Sequence, residues 1–351
     1  MVGLSEFGAE VIMLANKSIA SNGTDQNDFI LVRNIYQEPW VHATKVILSV
    51  IMALTCIIGV ITNTFSLIIY TSPSFRKRSI NILLAGMSGS DLIVCIMAFP
   101  VFIGTELPTL FPNIQLPPKL LALFVVYLYP ITLMAGSLSV WCLVSITIDR
   151  YLAVCHPFIV RIYCTVNRAL ITLGVILTFT VAFNFVRFWE YSMVEPSKQT
   201  DFNAFVKALR NENLYILLYQ TIATTITQYL IPLFVLCLLN LEVAKTILKA
   251  TEQRRELVSS VKREHKTAKM MIFVVIVFIF CYTFGIFLSL LESLYPEIFD
   301  TRIGYMLNDI NNILVVFNSS SNFIFYVKYS SRQVNMCFSK DSMIICFVVF
   351  E

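Results

Sequence analysis

Seven long apolar stretches constrain this chain more than any other feature of its sequence. A helix needs roughly 20 apolar residues to cross about 30 Å of hydrocarbon. A spanning segment must be helical, because lipid offers no partner to an unpaired backbone N–H. The sequence therefore predicts an all-α membrane protein built as a seven-transmembrane helix bundle. The predicted spans cover residues 45–70, 80–104, 120–148, 169–188, 214–240, 270–294 and 303–327.

The composition excludes the common soluble classes of protein. Of the 351 residues, 57% are hydrophobic and 14% are charged, and the mean hydropathy is +0.74. A water-soluble domain carries about 25% charged residues, so neither a soluble enzyme nor a disordered chain fits. The net charge of +4 is too small to indicate a nucleic-acid partner. We expect the lipid bilayer to surround most of the chain.

The distribution of basic residues predicts the orientation. If the N-terminus lies outside, the inner loops and C-terminal tail hold 17 Lys and Arg residues, and the outer segments hold 8. Because Lys and Arg are retained on the cytoplasmic side, we expect an extracellular tail at 1–44, a bundle at 45–327 and a cytoplasmic tail at 328–351. The outer tail offers two Asn-x-Ser/Thr glycosylation sites, at Asn16 and Asn22, although such triplets also arise by chance.

The cysteines and the C-terminal tail add two further expectations. None of the nine cysteines falls in an outer segment, so we expect no extracellular disulfide, even though that side is oxidising.

Residues 329–338 are predicted to form a short amphipathic eighth helix on the inner leaflet. Within it, Cys337 is a weak candidate for palmitoylation.

A set of motifs lies along the spans in a fixed order. They are Asn63 in the first span, Asp91 in the second, Asp149-Arg150-Tyr151 closing the third, Pro232 in the fifth, Phe278 and Cys281 in the sixth, and Asn318 to Tyr326 in the seventh. With seven spans in the predicted orientation, these motifs make residues 45–338 resemble the rhodopsin-like (class A) G-protein-coupled receptors. Segments near 79–81, 163–169 and 184–190 are similar to invertebrate FMRFamide-type neuropeptide receptors, and nematode chemoreceptors share part of that pattern.

Asp91 is the one ionisable residue near the middle of a span. A charge at that depth is costly, and it marks a functional site by default. The resemblance implies a pocket for a sodium ion or a proton, built with Ser139, Asn318, Ser319 and Asn322. A carboxylate with hydroxyl and amide oxygens suits a small hard cation. The alternative is a neutral, hydrogen-bonded aspartic acid that binds no ion. We expect no other metal and no organic cofactor.

The resemblance also implies an activation switch at the inner end of the bundle. Its residues are Asp149, Arg150, Tyr151, Glu264 and Tyr326. An ion pair between Arg150 and Glu264 would hold the third and sixth helices together at rest, and its loss would open a cleft for a G protein. In the alternative interpretation, Glu264 is a solvated residue of a highly charged loop.

Four residues match the family's connector between the ligand pocket and the inner face. They are Val140, Pro232, Phe278 and Tyr282. A proline in the fifth helix removes one backbone hydrogen bond and permits a kink. Tyr282 occupies the position where the family usually has a tryptophan. For Val140 and Phe278, ordinary packing is the competing interpretation.

The outer half of the bundle disfavours two ligand classes. Amine receptors of this family carry an Asp 18 residues before the Arg of the third helix, and here that position is Thr132. Retinal attachment needs a Lys in the seventh helix, and residues 303–327 contain none. Acidic and aromatic residues instead surround the predicted outer rim, where they complement the cation and the ring of an Arg-Phe-amide peptide. The outer loops could equally be acidic only because the inner ones are basic. The candidate ligand contacts are Glu106, Tyr129, Thr132, Glu190, Glu292 and Asp309.

The sequence thus predicts a multi-pass plasma-membrane receptor and not an enzyme. Its expected partners are an extracellular amidated peptide and a heterotrimeric G protein. The alternative with the same fold is a chemosensory receptor for a small molecule. A transporter or channel is disfavoured, because such proteins carry inverted repeats and several mid-membrane charges.

Overall fold

The computed structural model describes residues 39–73, 75–111, 113–114, 116–193, 205–209, 212–253, 258–295, 298 and 301–329. The predicted glycosylation sites Asn16 and Asn22 lie outside these residues. The predicted amphipathic eighth helix and Cys337 lie outside them as well, and so does most of each predicted tail.

Seven long helices occur in the described part of the chain, one for each predicted span. Short helices at Leu107–Leu110 and Pro157–Tyr163 lie in an outer and an inner loop. The seven are Pro39–Thr71, Ser79–Gly104, Lys119–Cys155, Val166–Trp189, the fifth in three consecutive segments (Ile216–Ala223, Ile226–Leu230 and Ile231–Gln253), Val258–Leu294 and Arg302–Tyr329.

Several helices extend well beyond the predicted spans. The first begins at Pro39 rather than at 45, the sixth begins at Val258 rather than at 270, and the fifth ends at Gln253 rather than at 240. Hydropathy marks only the segment that lies in hydrocarbon. A helix satisfies its own backbone groups and can continue into water without an apolar sequence.

The seventh helix spans the bundle with an unusually polar sequence. Each of the other six helices has the length and the hydropathy of a helix that crosses a membrane. Polar side chains inside a membrane bundle hydrogen-bond across helices rather than face lipid. The buried polar residues of the seventh helix are Asn308, Asn311, Asn312, Asn318, Ser319, Ser320, Ser321 and Asn322.

Apolar side chains cover the outside of the bundle. Ile47, Leu54, Val175, Phe234 and Phe280 are all exposed. Such a surface is unfavourable in water and is solvated by lipid. The third helix is the most enclosed of the spans, whereas most of the fourth helix faces outward. The chain is therefore a multi-pass membrane protein.

Of the four π-helical segments in the described helices, Ile216–Ala223 has no proline beside it, and the other three each lie next to one. A proline has no N–H, and its ring clashes with the carbonyl of the preceding turn. An extra residue in the turn relieves that clash. These turns are Phe99–Gly104 around Pro100, Phe124–Leu128 before Pro130, and Ile226–Leu230 before Pro232.

A short β-hairpin follows the outer end of the fourth helix. Strand β1 (Tyr191–Met193) pairs antiparallel with strand β2 (Phe205–Lys207), and Tyr191 lies opposite Lys207. The hairpin is an addition to the predicted all-α architecture. Each strand has three residues, too few for the alternating pattern by which a strand is recognised in a sequence.

Two large clusters of buried apolar side chains form most of the core, and a small third cluster contains Val243 and Ile247. The outer cluster includes Met52, Val94 and Tyr129, and the inner cluster includes Leu83 and Phe278. A layer of polar side chains around Asp91 lies between these clusters, and it places the predicted ion pocket at mid-depth.

Candidate functional site

Asp91 is fully buried where the second, third and seventh helices meet. Its Oδ1 accepts a hydrogen bond from Ser139 Oγ at 2.5 Å, and its Oδ2 accepts one from Asn322 Nδ2 at 2.8 Å. The Ser319 side chain lies beside the same carboxyl group. Two of the four residues predicted to join Asp91 therefore hydrogen-bond to it, and a third lies next to it.

Asn318, the remaining predicted member, is buried next to Ser319. It is not among the described hydrogen-bond partners of Asp91, and its carbonyl accepts from Ser321 Oγ at 3.1 Å. The first helix joins the cluster through Asn63, whose Nδ2 donates to the Ser319 carbonyl at 3.0 Å. A carboxylate with two hydroxyl oxygens fits a sodium ion, and the structure adds Asn63 as a support that the prediction did not include.

Sodium dependence tests this pocket. We expect Na⁺ to raise the unfolding temperature of the purified protein relative to choline at equal ionic strength. A ligand that binds only the folded state, at about 100 times its Kd, stabilises it by roughly 2.7 kcal/mol. Asp91→Asn removes the charge and should abolish the difference between the salts. Ser90→Ala is the control, since its hydroxyl is bonded within its own helix, to Met87. An equal Na⁺ effect in Asp91→Asn would contradict the ion site.

Asp149 and Arg150 lie at the inner end of the third helix. Asp149 Oδ1 accepts a hydrogen bond from Ser79 Oγ at 2.7 Å, which ties the third helix to the start of the second. Arg150 Nη2 lies 3.5 Å from Asp149 Oδ2. Burial and the Asp149 carboxylate raise the pKa of the Cys164 thiol in the adjoining loop to about 11, so this cysteine stays protonated at neutral pH.

Of the remaining switch residues, the structure describes the side chain of Tyr151 but not those of Glu264 and Tyr326. Tyr151 OH lies 3.1 Å from Nε2 of His156, five residues further along the chain. Glu264 and Tyr326 belong to the sixth and seventh helices, but their side chains lie outside the description. Glu264 is in the second turn of its helix rather than at its start. The proposed contact between Arg150 and Glu264 therefore stays a prediction.

The connector residues form an aromatic stack between the fifth and sixth helices. The rings of Phe278 and Tyr282 are 4.6 Å apart, and Tyr229 stacks on Phe278 at 6.0 Å. Val140 is buried in the same cluster, and Pro232 is buried one turn after Tyr229. The sequence prediction missed Tyr229, although its position three residues before the predicted proline was a usable signal.

Lys45 occupies the space between two predicted ligand contacts. Its Nζ lies 3.1 Å from Glu106 Oε2 and 4.0 Å from Asp309 Oδ2. This buried lysine joins the first helix to the end of the second and to the seventh. Both carboxylates were predicted to face a cationic peptide, and the structure shows that each already has a cation beside it.

A buried ion pair holds the outer end of the fourth helix. Arg187 Nη1 lies 3.0 Å from Glu190 Oε1, and both side chains are almost fully buried. The other guanidinium nitrogens donate to Asn184 Oδ1 and Thr224 Oγ1, each at 3.2 Å. Tyr215 OH donates to Glu190 Oε1 at 2.7 Å. The fourth and fifth helices are thus joined by a network of charged and polar groups.

The structure changes the interpretation of the acidic rim. Among the described side chains, Glu106, Glu190 and Asp309 each have a basic partner, so they do not form a free acidic surface. Tyr129 is buried in the outer core, and Thr132 Oγ1 donates to the Leu128 carbonyl in its own helix. The Glu292 side chain lies outside the description, so its role stays a prediction.

A cavity of about 100 Å³ lies among the third to seventh helices. The connector residues Val140 and Tyr282 line it, whereas none of the five candidate ligand contacts with described side chains does. Sequence reasoning missed its amide side chains, whose signal was the presence of Gln and Asn within apolar spans. The polar residues that line the cavity are Ser137, Asn184, Arg187, Gln220, Thr224, Thr225, Gln228, Tyr229, Tyr282, Ser289 and Asn311.

Comparison with known proteins agrees with this bundle of seven membrane-spanning helices. The family model "7 transmembrane receptor (rhodopsin family)" covers residues 62–326. FMRFamide peptide receptor frpr-18 of Caenorhabditis elegans is 31% identical over 79% of this chain and 65% of its own length. The FMRFamide receptor of Drosophila melanogaster is 31% identical over 81% of this chain and 52% of its own length. Human galanin receptor type 2 is 24% identical over 87% of this chain and 74% of its own length. The chain thus spans between half and two thirds of the length of the two FMRFamide receptors.

Proposed function

The chain belongs to the rhodopsin family of seven-transmembrane receptors, and we propose that an extracellular amidated neuropeptide activates it. The similarity to two FMRFamide receptors, each 31% identical to this chain, carries the proposal. The same relatives do not favour a small-molecule chemosensory receptor. The chain is a multi-pass receptor of the plasma membrane, and we expect the peptide to approach from the side of the β-hairpin.

The proposed signal runs from the cavity to the inner face through contacts described above. Tyr282 lines the cavity and stacks on Phe278, which is fully buried against the third and fifth helices. Ligand binding beside Tyr282 would therefore change how the sixth helix packs. Packed interfaces are bistable rather than continuously deformable, so a small shift at the cavity can select a second arrangement of the sixth helix.

The proposed partner on the inner side is a heterotrimeric G protein. Arg150 lies near the cytoplasmic end of the third helix, and its side chain is 28% exposed. Asp149 is fixed by Ser79 and holds Arg150 in an ion pair. A guanidinium that leaves this pair can donate several charge-assisted hydrogen bonds to backbone carbonyls of a partner. Arg150 is the residue on which we expect G-protein activation to depend.

A signalling assay tests this proposal. Cells that express the receptor and report calcium and cAMP receive Phe-Met-Arg-Phe-amide, and we expect a saturable response. Arg150→Ala should lower the maximal response to about a tenth or less, because hydrogen bonds to a charged group contribute about 1.5–3 kcal/mol and 1.4 kcal/mol is tenfold. Peptide binding should persist in this variant.

Arg78→Ala is the matched control for the signalling assay. Arg78 is an exposed arginine of the adjacent inner loop, and we expect its loss to leave the response unchanged. A full response in Arg150→Ala would remove Arg150 from the proposed switch. No response of the wild type to a panel of amidated peptides, with surface expression established, would reject the peptide ligand.

A further inference from the structure

A small cavity lies between the first, second and seventh helices, near their outer ends. Its polar lining residues are Ser49, Glu106, Asp309 and Asn312. Its volume of about 20 Å³ exceeds the roughly 10–15 Å³ that one water molecule needs. The cavity therefore admits one water-sized species and no organic ligand. It shares no lining residue with the cavity among the third to seventh helices, so the two are separate.

The amide of Asn312 lacks partners in this small cavity. Neither its Oδ1 nor its Nδ2 has a hydrogen-bond partner among the described residues, although the residue is only 1% exposed. Buried polar groups are nearly always hydrogen-bonded, because an unmade bond is costly. The oxygen needs a donor, and the nitrogen needs an acceptor. Asn312 thus indicates that the cavity binds a group that both donates and accepts.

The charges beside the cavity do not balance. Lys45 Nζ lies 3.1 Å from Glu106 Oε2 and 4.0 Å from Asp309 Oδ2, and no other described ion pair involves either acid. With all three groups ionised, the cluster of Lys45, Glu106 and Asp309 carries one net negative charge. The Lys45 and Glu106 side chains are 4% and 12% exposed. A net charge at such a site is unfavourable unless a further positive charge compensates it.

Asp309 connects this cluster both to solvent and to Asn312. Its side chain is 27% exposed, and it lies about two turns from the outer end of the seventh helix. Asp309 and Asn312 are three residues apart, a spacing that places them on one face of the helix. An ionised carboxylate only accepts hydrogen bonds, whereas a protonated carboxyl group also donates one. A protonated carboxyl group can therefore supply the donor that Asn312 Oδ1 lacks, directly or through one water.

We infer that the cluster of Lys45, Glu106 and Asp309 binds one proton from extracellular solvent, in a site that Asn312 and one water complete. The proton goes to a carboxylate oxygen, and the net charge of the cluster becomes zero. The water accepts from Asn312 Nδ2 and donates to a carboxyl oxygen. Because the cluster joins three helices, their packing at the outer face becomes sensitive to extracellular acidity. The inference involves neither the peptide nor the G protein, so it does not depend on the proposed function.

Other ionisable groups near this cluster are few among the described side chains. The first helix adds His42, whose Nε2 lies 3.3 Å from the Leu110 carbonyl oxygen. The short helix Leu107–Leu110 carries no ionisable residue, and Glu292 of the sixth helix lies outside the description. Histidine is the side chain that most often titrates between about pH 5 and pH 8. His42 is therefore the alternative acid sensor, and the test has to separate it from the cluster.

The first test measures the unfolding temperature of the purified full-length protein in choline chloride. The two conditions are about pH 7.5 and about pH 6, where an aspartate or glutamate of an unfolded chain stays ionised. If the folded cluster binds a proton in this interval, the folded state holds more protons than the unfolded state, and stability rises as the pH falls. We expect acidification to raise the unfolding temperature of the wild type by at least about 2 °C relative to Asp309→Asn. That variant leaves one acid beside one ammonium, so its cluster needs no proton.

Two further variants separate the site from its surroundings. Asn312→Leu keeps all three charges and removes only the unpartnered amide, a change that is nearly neutral for folding when a buried polar group had no partner. We expect this variant to lose at least about half of the acid-induced shift, because a protonated carboxyl group no longer finds its acceptor. His42→Gln is the control, and its shift should equal that of the wild type.

Infrared difference spectroscopy between the same two pH values identifies the group that takes up the proton. We expect acidification of the wild type to produce a carboxylic-acid C=O band. The band should be absent from Asp309→Asn and from Glu106→Gln, since either substitution removes the excess negative charge. It should persist in Asp91→Asn, because Asp91 belongs to the separate site at mid-depth.

Each result supports or overturns the proton site. Equal acid-induced shifts in the wild type and Asp309→Asn would overturn it, and so would a full shift in Asn312→Leu. Loss of the shift in His42→Gln would assign acid sensitivity to the histidine instead. A carboxylic-acid band that disappears only in Asp91→Asn would assign the proton to Asp91 and likewise overturn the inference. None of these readouts uses a peptide, so failure of the proposed function leaves them unchanged.

Discussion

Arg187→Met should lower the free energy of unfolding by about 3–5 kcal/mol, because it leaves the buried Glu190 carboxylate without its cation. Arg187 also donates to Asn184 and Thr224, so the substitution leaves further polar groups unpaired. At roughly 2–4 °C per kcal/mol, we expect the unfolding temperature of the purified receptor to fall by about 10 °C. Surface expression should fall in parallel.

Two further variants identify the cause of this loss. Arg187→Met combined with Glu190→Leu replaces the buried pair by apolar groups, and we expect it to regain most of the stability, since such replacements are often neutral or stabilising. Lys245→Met is the control for an exposed pair. Lys245 lies 2.7 Å from Glu242, but both side chains are more than half exposed, and such a pair contributes about 0–1 kcal/mol. Equal losses in Arg187→Met and Lys245→Met would contradict the assignment.

Gly59→Ala should destabilise the receptor by about 1–3 kcal/mol, the range for overpacking a well-filled core. A Cβ at Gly59 would lie 2.5 Å from Ser320 Oγ and would also overlap Cys95 Sγ. Ser320 Oγ donates to the carbonyls of Thr55 and Val316, so it is not free to move aside. The unfolding temperature of the purified receptor measures the effect.

Gly174→Ala is the matched control for Gly59→Ala. Gly174 lies within the fourth helix, and a Cβ there meets nothing within 4 Å. Alanine is favoured over glycine in a helix by roughly 0.5–1 kcal/mol, so this variant should be slightly stabilised. If both alanine variants changed stability in the same direction, the close approach of the first, second and seventh helices at Gly59 would not be the cause.

The sequence predicted the number and order of the spans because their signal is local. Twenty or so apolar residues in a row define a spanning helix wherever they occur. Ends of the first, fifth and sixth helices were missed, because hydropathy marks where a helix leaves the hydrocarbon and not where the helix itself ends. The hairpin was missed because strands of three residues carry no periodicity.

In the candidate site, too, the sequence revealed single residues but not contacts between residues that are far apart in the chain. Asp91 stood out as a lone mid-span acid, and the family resemblance supplied Ser139, Ser319 and Asn322. The pairing of Lys45 with Glu106 joins residues 61 positions apart, a relation that spacing along the chain does not reveal. Each described acid of the predicted rim has a basic partner, and a residue count shows charges but not their partners. The role of these acids as ligand contacts stays a prediction.

The amide side chains that line the cavity were not predicted either. Gln220, Gln228 and Asn311 come from the fifth and seventh helices, and only the fold brings them together. A polar residue in an apolar span is more often bonded within the bundle than directed at a ligand. The distinction needs the hydrogen-bond partners of each atom, which a sequence does not contain.

The outer face of the bundle is joined by Lys45, Arg187 and their carboxylates, and the predicted extracellular segments contain no cysteine. We therefore expect a reducing agent to have no disulfide to cleave on that face. We also expect this face to assemble without a thiol oxidase or a disulfide isomerase. The receptor should consequently mature as well in a host with a reducing interior, or in cell-free synthesis with dithiothreitol present, as it does in an oxidising secretory compartment.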